Sequence, residues 1–235
     1  MRFIAPISGA ACMVAATFLV GCGEENMSEG RSQLGRVVDA PVAGLKLSAG
    51  SMSDMTDENG LFYYAPGTNY TFSVGRLVLG HASSFDSNAT ITPGTLAASF
   101  PVAQRKQAML GLTRFFMTID NDANPNNGIR ILSSMHDVAQ GWTGIPSDFM
   151  LNLGSTDAAR MLSDIRSVNN NASLNWATTA QATAHLESSM ACAYAGTFFG
   201  TMPNGDRVAV VVNRSGNIEA RQYSPETNQL YKYNS

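Results

Sequence analysis

Charged residues are scarce in this chain, and neither sign dominates. Asp, Glu, Lys and Arg make up 14% of the 235 residues, and 18 acidic against 15 basic side chains leave a net charge of −3. A nucleic-acid-binding protein needs a basic surface to neutralise phosphates. The composition therefore excludes nucleic acid as an expected partner. A mildly acidic, weakly charged chain is typical of an exported bacterial protein.

The sequence also lacks the short motifs that carry most enzymatic chemistry. It contains no G-x-S-x-G elbow, H-E-x-x-H helix, C-x-x-C pair or phosphate-binding loop. Its three histidines, His81, His136 and His185, are expected to be buried and satisfied or simply exposed. His136 precedes Asp137, but adjacent residues of a helix or strand point apart and form no dyad. We predict that the protein is not an enzyme, with no catalytic residue and no organic cofactor.

The first residues follow the order of an export signal. Arg2 precedes an apolar run, "FIAPISGAACMVAATFLV", which ends in "LVGC" at residues 19–22. A positive start followed by a short apolar run is typical of a signal peptide, and a membrane-spanning helix needs about 20 apolar residues. We expect residues 1–21 to be a signal peptide, which would remove Cys12. Arg2 is the one charged residue before this cut, so 14 basic and 18 acidic residues would remain.

The "LVGC" stretch resembles the lipobox of bacterial lipoproteins. The resemblance implies that Cys22 becomes the first mature residue and carries the lipid, and that Gly23 directs the protein to the outer membrane. The alternatives are a plain secretory signal cut near Gly21 and an uncleaved anchor. Lipidation of Cys22 would leave Cys192 alone, as a small buried residue without a disulfide partner. Residues 22–32 are polar and contain Gly and Ser, so they are expected to be a flexible tether.

Residues 33–99 alternate as β-strands do. "TDENGLFYY" places turn residues directly before an aromatic strand, which favours a hairpin, and Tyr70, Phe72 and Val74 share one face. "GRVVDAPVAGLKL" followed by "TDENGLFYYAPGTNYTFSVGRLVLG" resembles the prealbumin-like, or carboxypeptidase-regulatory-like, module of bacterial envelope lipoproteins. That resemblance implies a small Ig-like β-sandwich and says little about function.

Residues 100–193 change to helical periodicity. Met109, Leu112, Phe116 and Ile119 fall on one helical face. A second helix is predicted near residues 155–168, with Ser155 or Thr156 as its N-cap. A third is predicted from "SLNWATTAQATAHLESSMACA", with Ser173 as its cap and Ala182, Leu186, Met190 and Ala193 on its buried stripe. The segment between the first two helices is expected to be irregular.

Residues 194–235 return to β periodicity. "YAGTFFGTM" and "RVAVVVN" flank "PNGD", a hairpin signal, and two more short strands follow. The predicted fold is therefore α+β, with an N-terminal β-sandwich, central helices and a C-terminal antiparallel β-meander. Because the last strand ends at the C-terminus, the meander is expected to be truncated or to be completed by a partner.

The stretch "TIDNDANPNNGIRI" allows two interpretations. Asp120, Asp122 and Asn124 alternate like the oxygen ligands of a calcium loop, and Asn126 would supply a backbone carbonyl. Pro125 and Ile131 stand where an EF-hand has Gly and Glu, so a weak Ca²⁺ site would need a further carboxylate such as Asp137. The other interpretation is a turn in which Asp and Asn bond their own backbone.

These patterns favour an outer-membrane lipoprotein with a non-enzymatic binding, adhesion or envelope-structural role. Its expected partners are the membrane, through the lipid anchor, and an unknown protein or surface ligand. The alternative is an envelope hydrolase whose active site is scattered along the sequence. The aromatic pairs Tyr63–Tyr64 and Phe198–Phe199 could form a sugar or peptide platform, but alternation predicts that one ring of each pair is buried.

Overall fold

The computed structural model describes residues 33–82, 89–143, 147–194, 196–212 and 218–234. The predicted signal peptide, Cys22 and the tether lie outside these residues. The described chain is mixed α+β, as the sequence predicted, with strands at both ends and helices between them.

The N-terminal strands form two sheets and one short pairing. One sheet has the order β4-β3-β6-β7 and is antiparallel, whereas the other has the order β5-β1-β8 and pairs β1 with β8 in parallel. Val42 of β2 pairs in parallel with Ile129 of β9. The strands are β1 (Gln33–Val37), β2 (Val42–Ala43), β3 (Lys46–Ala49), β4 (Met52–Met55), β5 (Leu61–Tyr64), β6 (Tyr70–Val74), β7 (Leu77–Ala82), β8 (Thr90–Ile91) and β9 (Ile129–Arg130).

The predicted turn before the aromatic strand exists, but it does not join a hairpin. Asp57 Oδ1 accepts hydrogen bonds from the backbone N–H groups of Asn59 and Leu61, both at 2.8 Å, and Gly60 has φ +73°. The preceding strand β4 pairs with β3, and the following strand β5 pairs with β1. The turn therefore connects two different sheets. The residues of the turn do not determine whether the strands on either side pair with each other.

The helices are α1 (Pro93–Leu96), α2 (Arg105–Ile119), α3 (Ser133–Ala139), α4 (Thr156–Val168) and α5 (Thr179–Tyr194). In α2 the predicted residues Leu112, Phe116 and Ile119 are fully buried, and Met109 packs partly against the core. The Ser155 side chain accepts from Ala158 N and caps α4, as predicted. Helix α3 corrects the expectation of an irregular segment between the first two helices.

The start of α5 is another correction. Thr178, rather than Ser173, caps this helix, because its hydroxyl accepts from Gln181 N at 3.2 Å while Gln181 Oε1 accepts from Thr178 N at 2.8 Å. This reciprocal arrangement is a capping box, which satisfies backbone N–H groups that the first helical turn leaves free. Ala182 and Leu186 are buried as predicted. The side chains of Met190 and Ala193 lie outside the described ones.

One hydrophobic core joins the N-terminal sheets to the helices. It runs from Val37 to Leu174 and includes Phe72, Phe115 and Trp142. Segments 33–99 and 100–193 therefore pack on each other. Their division into separate domains stays a prediction.

The C-terminal meander is antiparallel, in the order β10-β11-β12-β13, with a hairpin at the predicted "PNGD" turn. Its strands are β10 (Gly196–Thr201), β11 (Arg207–Val212), β12 (Ile218–Ser224) and β13 (Gln229–Asn234). Among the residues described, none of the meander's side chains belongs to the hydrophobic core.

Candidate functional site

The loop after α2 directs its carboxylates at its own backbone. Asp120 Oδ2 and Asp122 Oδ1 both accept from Asn124 N at 2.9 Å. Asp120 Oδ1 accepts from Arg130 N, and Asp122 Oδ2 accepts from the Asn127 amide, again at 2.9 Å. These are the bonds that Asp makes in a turn, and they occupy all four carboxylate oxygens.

The two carboxyl groups of this loop differ in their surroundings. Burial raises the pKa of Asp120 to about 6, against the lowering effect of the Arg130 backbone hydrogen bond. The exposed Asp122 has a lowered pKa, chiefly because the Asn127 amide donates to it. A cation entering this loop would meet one carboxylate that binds protons more readily than usual.

The calcium interpretation stays a prediction. Asn124 supplies its backbone N–H to both carboxylates, and Asn126 is exposed in the same loop. Asp137, the suggested further ligand, is exposed on α3. No group of three His, Cys, Asp or Glu side chains that could hold a metal occurs in the described part of the chain. A site here would need oxygen ligands from the backbone or from Asn.

His136 connects three backbone segments of the core. Its Nδ1 accepts from Gly75 N at 3.0 Å, so the ring proton must lie on Nε2, which donates to the Gly44 carbonyl at 2.7 Å. The imidazole is almost completely buried. Both ring nitrogens are therefore used in joining α3 to the β6–β7 turn and to the residue after β2.

Sequence reasoning missed the environment of Asp39. This residue follows β1 in a tight turn, next to Ala40 with φ +59°, and it is fully buried. Within the described residues no group donates a hydrogen bond of ordinary geometry to either carboxylate oxygen, although the His185 imidazole and the Ser189 hydroxyl lie nearby. Burial raises the pKa of Asp39 to about 8, and the nearby Ser189 hydroxyl opposes this rise only in part. An acidic residue inside the apolar "VVDAPV" run was the available signal.

The imidazole of His185 in α5 contacts Asp39. Its Nε2 lies 3.0 Å from the Asp39 carbonyl oxygen and 3.5 Å from Oδ1. Since a carbonyl only accepts, Nε2 carries a proton and donates to it. Ser189, one turn further along the helix, donates to the Leu186 carbonyl at 3.3 Å. The hydroxyl is thus bonded to backbone rather than to an imidazole.

His81 has a different setting. Its Nδ1 lies 3.1 Å from the Thr71 hydroxyl on the neighbouring strand, in an exposed cross-strand pair. The three histidines are therefore in three separate environments. Cys192 lies in α5, but its side chain is outside the described ones.

The aromatic pairs follow the alternation of their strands only in part. Tyr64 is buried and Tyr63 is exposed, whereas Phe198 and Phe199 of β10 are both exposed. The meander therefore presents aromatic surface on both of its faces, and the prediction that one ring of each pair is buried is wrong for Phe198 and Phe199.

The strands of the meander carry their charged residues on one face only. Residues directly opposite in an antiparallel pair point to the same face, so the register assigns each side chain to a face. All four charged residues of these strands, Arg207, Glu219, Arg221 and Lys232, lie on one face. The other, which we name the charge-free face, consists of Phe198, Val208, Val210, Val212, Ile218, Ala220, Gln222, Ser224, Gln229, Tyr231 and Tyr233, with Gly196 and Gly200.

The two faces differ in what their side chains contact. On the charged face Glu219 accepts from Arg221 at 2.6 Å and lies 3.1 Å from the Lys232 ammonium. On the charge-free face Phe198, Tyr231 and Tyr233 are 49%, 40% and 53% exposed. A contiguous apolar surface of this kind marks an interaction site more often than a free surface.

Comparison with known proteins found no matching family model, curated protein or solved structure. Among the described residues, no helix combines the length and the apolar character that crossing a membrane requires.

Proposed function

We propose that the protein is an outer-membrane lipoprotein, anchored through lipid on Cys22, with a non-enzymatic binding, adhesion or envelope-structural role. The observation that carries this proposal is the charge-free face of the C-terminal sheet. A soluble sheet normally buries one face against a core. Here the apolar face lies outside the hydrophobic core, and its aromatic side chains are half exposed.

The N-terminal part supports a scaffolding role in this proposal. We assign residues 33–99 to a prealbumin-like β-sandwich because their two sheets contribute to one core, through Val37 and Phe62 on one side and Leu47 and Phe72 on the other. The helices extend the same core.

The histidines support a non-enzymatic role. General base catalysis by histidine needs an imidazole with a nitrogen available to the substrate. His136 uses both nitrogens on backbone groups, and the Nε2 of His185 donates to a carbonyl. The alternative, an envelope hydrolase, would use another base, such as a carboxylate or the exposed His81, whose neighbour in the structure is a threonine hydroxyl.

The experiment measures whether the charge-free face is covered in the cell envelope. Ala220→Cys places a thiol on that face, and Ala209→Cys places one on the charged face of the adjacent strand; both alanines are partly buried. Each thiol is labelled with a maleimide in intact envelopes and, as a reference, after denaturation in SDS. We expect selective protection at position 220. Equal labelling of both positions in envelopes would contradict the proposed binding role.

A further inference from the structure

We propose that the contact of Asp39 with His185 and Ser189 is a pH-sensitive latch, which holds α5 against the turn after β1 while Asp39 is protonated and releases the helix when Asp39 ionises. The proposal concerns a conformational change within the chain, and it depends neither on the lipid anchor nor on a binding partner. It is carried by the geometry of the contact. Asp39 is fully buried, and His185 and Ser189 lie one turn apart on the same face of the helix.

The contact serves the backbone of Asp39 better than its side chain. The Nε2 atom of His185 donates to the Asp39 carbonyl oxygen at 3.0 Å, whereas Oδ1 lies 3.5 Å from the same nitrogen. No group in the described part of the chain donates to the carboxyl oxygens with ordinary geometry. Ser189 lies nearby and lowers the pKa of Asp39 in part, but its hydroxyl also donates to the Leu186 carbonyl.

The charged groups of the elements around this turn do not compensate a charge on Asp39. They are Arg36, Asp57, Glu58, Arg130 and Glu187, of which all but the half-buried Arg36 are exposed. Glu58 and Arg130 pair with each other at the surface. Among the described side chains, His185 is therefore the titratable group that faces Asp39.

Ionisation of Asp39 favours the released helix. A carboxylate in apolar surroundings is costly unless it is paired or hydrogen-bonded, and burial raises the pKa of Asp39 to about 8. Release of α5 would expose the group to water, where its ordinary pKa is near 3.9. The docked helix therefore holds a proton that the released helix loses, so release becomes up to about tenfold more favourable per pH unit between these two values.

The two ends of α5 are held differently. At its N-terminal end Ala177 N donates to Thr118 Oγ1 at 3.0 Å, and the Arg114 side chain donates to the Ala177 carbonyl, so this end is fixed to α2. Further along the helix, Ala182 and Leu186 are buried but do not belong to the main hydrophobic core. Elements with small buried contacts are the ones that open locally. The Asp39 contact thus holds the part of the helix that is the easiest to release.

Release of α5 would also affect the C-terminal meander. Helix α5 ends at Tyr194 and β10 begins at Gly196, so the helix connects the hydrophobic core to the meander. None of the meander's described side chains belongs to that core. The latch would therefore determine how firmly the meander is attached, with firmer attachment at lower pH.

The test is native-state hydrogen exchange of the full-length protein in detergent, with mass spectrometry of peptides from α5 and α4. Correction for the intrinsic pH dependence of amide exchange leaves the opening equilibrium of each helix. We expect the opening equilibrium of α5 to rise roughly tenfold from pH 6 to 7 and roughly fivefold from pH 7 to 8. Helix α4 is the reference, because its buried residues Ala158, Met161 and Ile165 belong to the main core.

Urea separates local release from global unfolding, which also frees the Asp39 proton. Low concentrations of urea should hardly change the opening of α5, because local release exposes little surface, and should increase the opening of α4. At each pH, α5 should open at least about tenfold more readily than α4. Equal opening and equal urea dependence in the two helices would overturn the latch.

Two variants assign the pH dependence to Asp39. Asp39→Asn keeps the carbonyl that His185 uses and cannot ionise, so the opening of α5 should change by less than about twofold between pH 7 and 8. Asp137→Asn, at an exposed carboxyl group on α3, should keep the wild-type dependence. A wild-type dependence in Asp39→Asn would overturn the latch. So would a wild-type α5 whose opening does not change with pH, and that measurement needs no variant.

Discussion

The Nε2 atom of His185 lies 3.0 Å from the carbonyl oxygen of Asp39 and 3.5 Å from its carboxylate, although 146 residues separate the two in sequence. The contact joins α5 to the turn that follows β1. It also places the Asp39 carboxyl group in the apolar core, where burial raises its pKa to about 8.

Asp39 should make stability fall as pH rises. Its folded-state pKa of about 8 lies above the ordinary value near 3.9, so the folded chain holds a proton that the unfolded chain has released. The contribution of Asp39 to stability should therefore be greatest below pH 4, fall by up to about 1.4 kcal/mol per pH unit, and level off above pH 8. Urea denaturation at pH 5, 6, 7 and 8 measures this slope.

Two variants isolate the contribution of Asp39. Asp39→Asn keeps the backbone carbonyl that His185 uses and removes the titrating group, so the slope should shrink markedly. Asp137→Asn, which changes an exposed carboxyl group on α3, should retain the wild-type slope. Asp120, with its pKa raised to about 6, contributes to the slope only at the lower end of this range. A slope between pH 7 and 8 that survives in Asp39→Asn would therefore show that another group is responsible.

Gly111 should not tolerate a side chain. A Cβ at this position of α2 would lie 2.2 Å from the Met150 carbonyl oxygen. Gly111→Ala gains about 1 kcal/mol of helix propensity, but the overpacking should leave a net destabilisation of about 1–3 kcal/mol. Gly94→Ala in α1 is the control, since its Cβ would meet neighbours at ordinary distances of 3.4 Å or more. Chemical denaturation measures the change in stability of both variants, and an equal change in the two would contradict the prediction.

His136 should be essential for stability. His136→Ala leaves the Gly75 N–H and the Gly44 carbonyl buried without partners, at about 1–3 kcal/mol for each unsatisfied group. His81→Ala removes an exposed side chain and should change stability by less than about 0.5 kcal/mol. Thermal and urea denaturation compare the two. Equal effects would mean that the buried hydrogen bonds of His136 contribute little.

Calcium binding by the 120–131 loop has a direct test. A weak site with a dissociation constant of about 1 mM would contribute near 1.4 kcal/mol at about 10 mM Ca²⁺, which raises the melting temperature by roughly 3–6 °C. The rise should disappear in Asp120→Asn/Asp122→Asn and should not be reproduced by NaCl of equal ionic strength. Identical melting with Ca²⁺ and with chelator would leave the loop as a turn.

Lipidation predicts a dependence on one cysteine. Wild-type protein expressed in a Gram-negative host should incorporate labelled palmitate and sediment with membranes, because two or more acyl chains anchor stably where one does not. Cys22→Ser should lose the label, whereas Cys192→Ser should keep it. An intact mass showing an unmodified mature N-terminus would rule the anchor out.

Local sequence patterns predicted where helices and strands occur better than they predicted which of them pair or pack together. The spacing of Leu112, Phe116 and Ile119 was enough for α2, and the "PNGD" turn was enough for the β10–β11 hairpin. The start of α5 was also predictable, because Thr178 and Gln181 have the spacing of a capping box. Ser173, however, is an equally suitable cap by residue type.

The sequence did not predict which residues distant along the chain come into contact. The sheet membership of β4 and β5 depends on pairings with β3 and β1, which no turn residue encodes. Likewise, the environment of Asp39 depends on a helix 146 residues away. The charge-free face was implicit in the alternation of the last strands, but only the register between them shows that all four charges share one side.

The hydrogen bond from His136 to Gly44 spans 92 residues, and β2 acquires its strand partner only at Ile129. The proposed lipoprotein would emerge from a membrane pore N-terminus first, so β2 would stay without its strand partner until Ile129 had crossed. Such non-local topology slows folding and favours aggregation of early segments. Export of the proposed lipoprotein should therefore depend on holding chaperones until α3 has crossed.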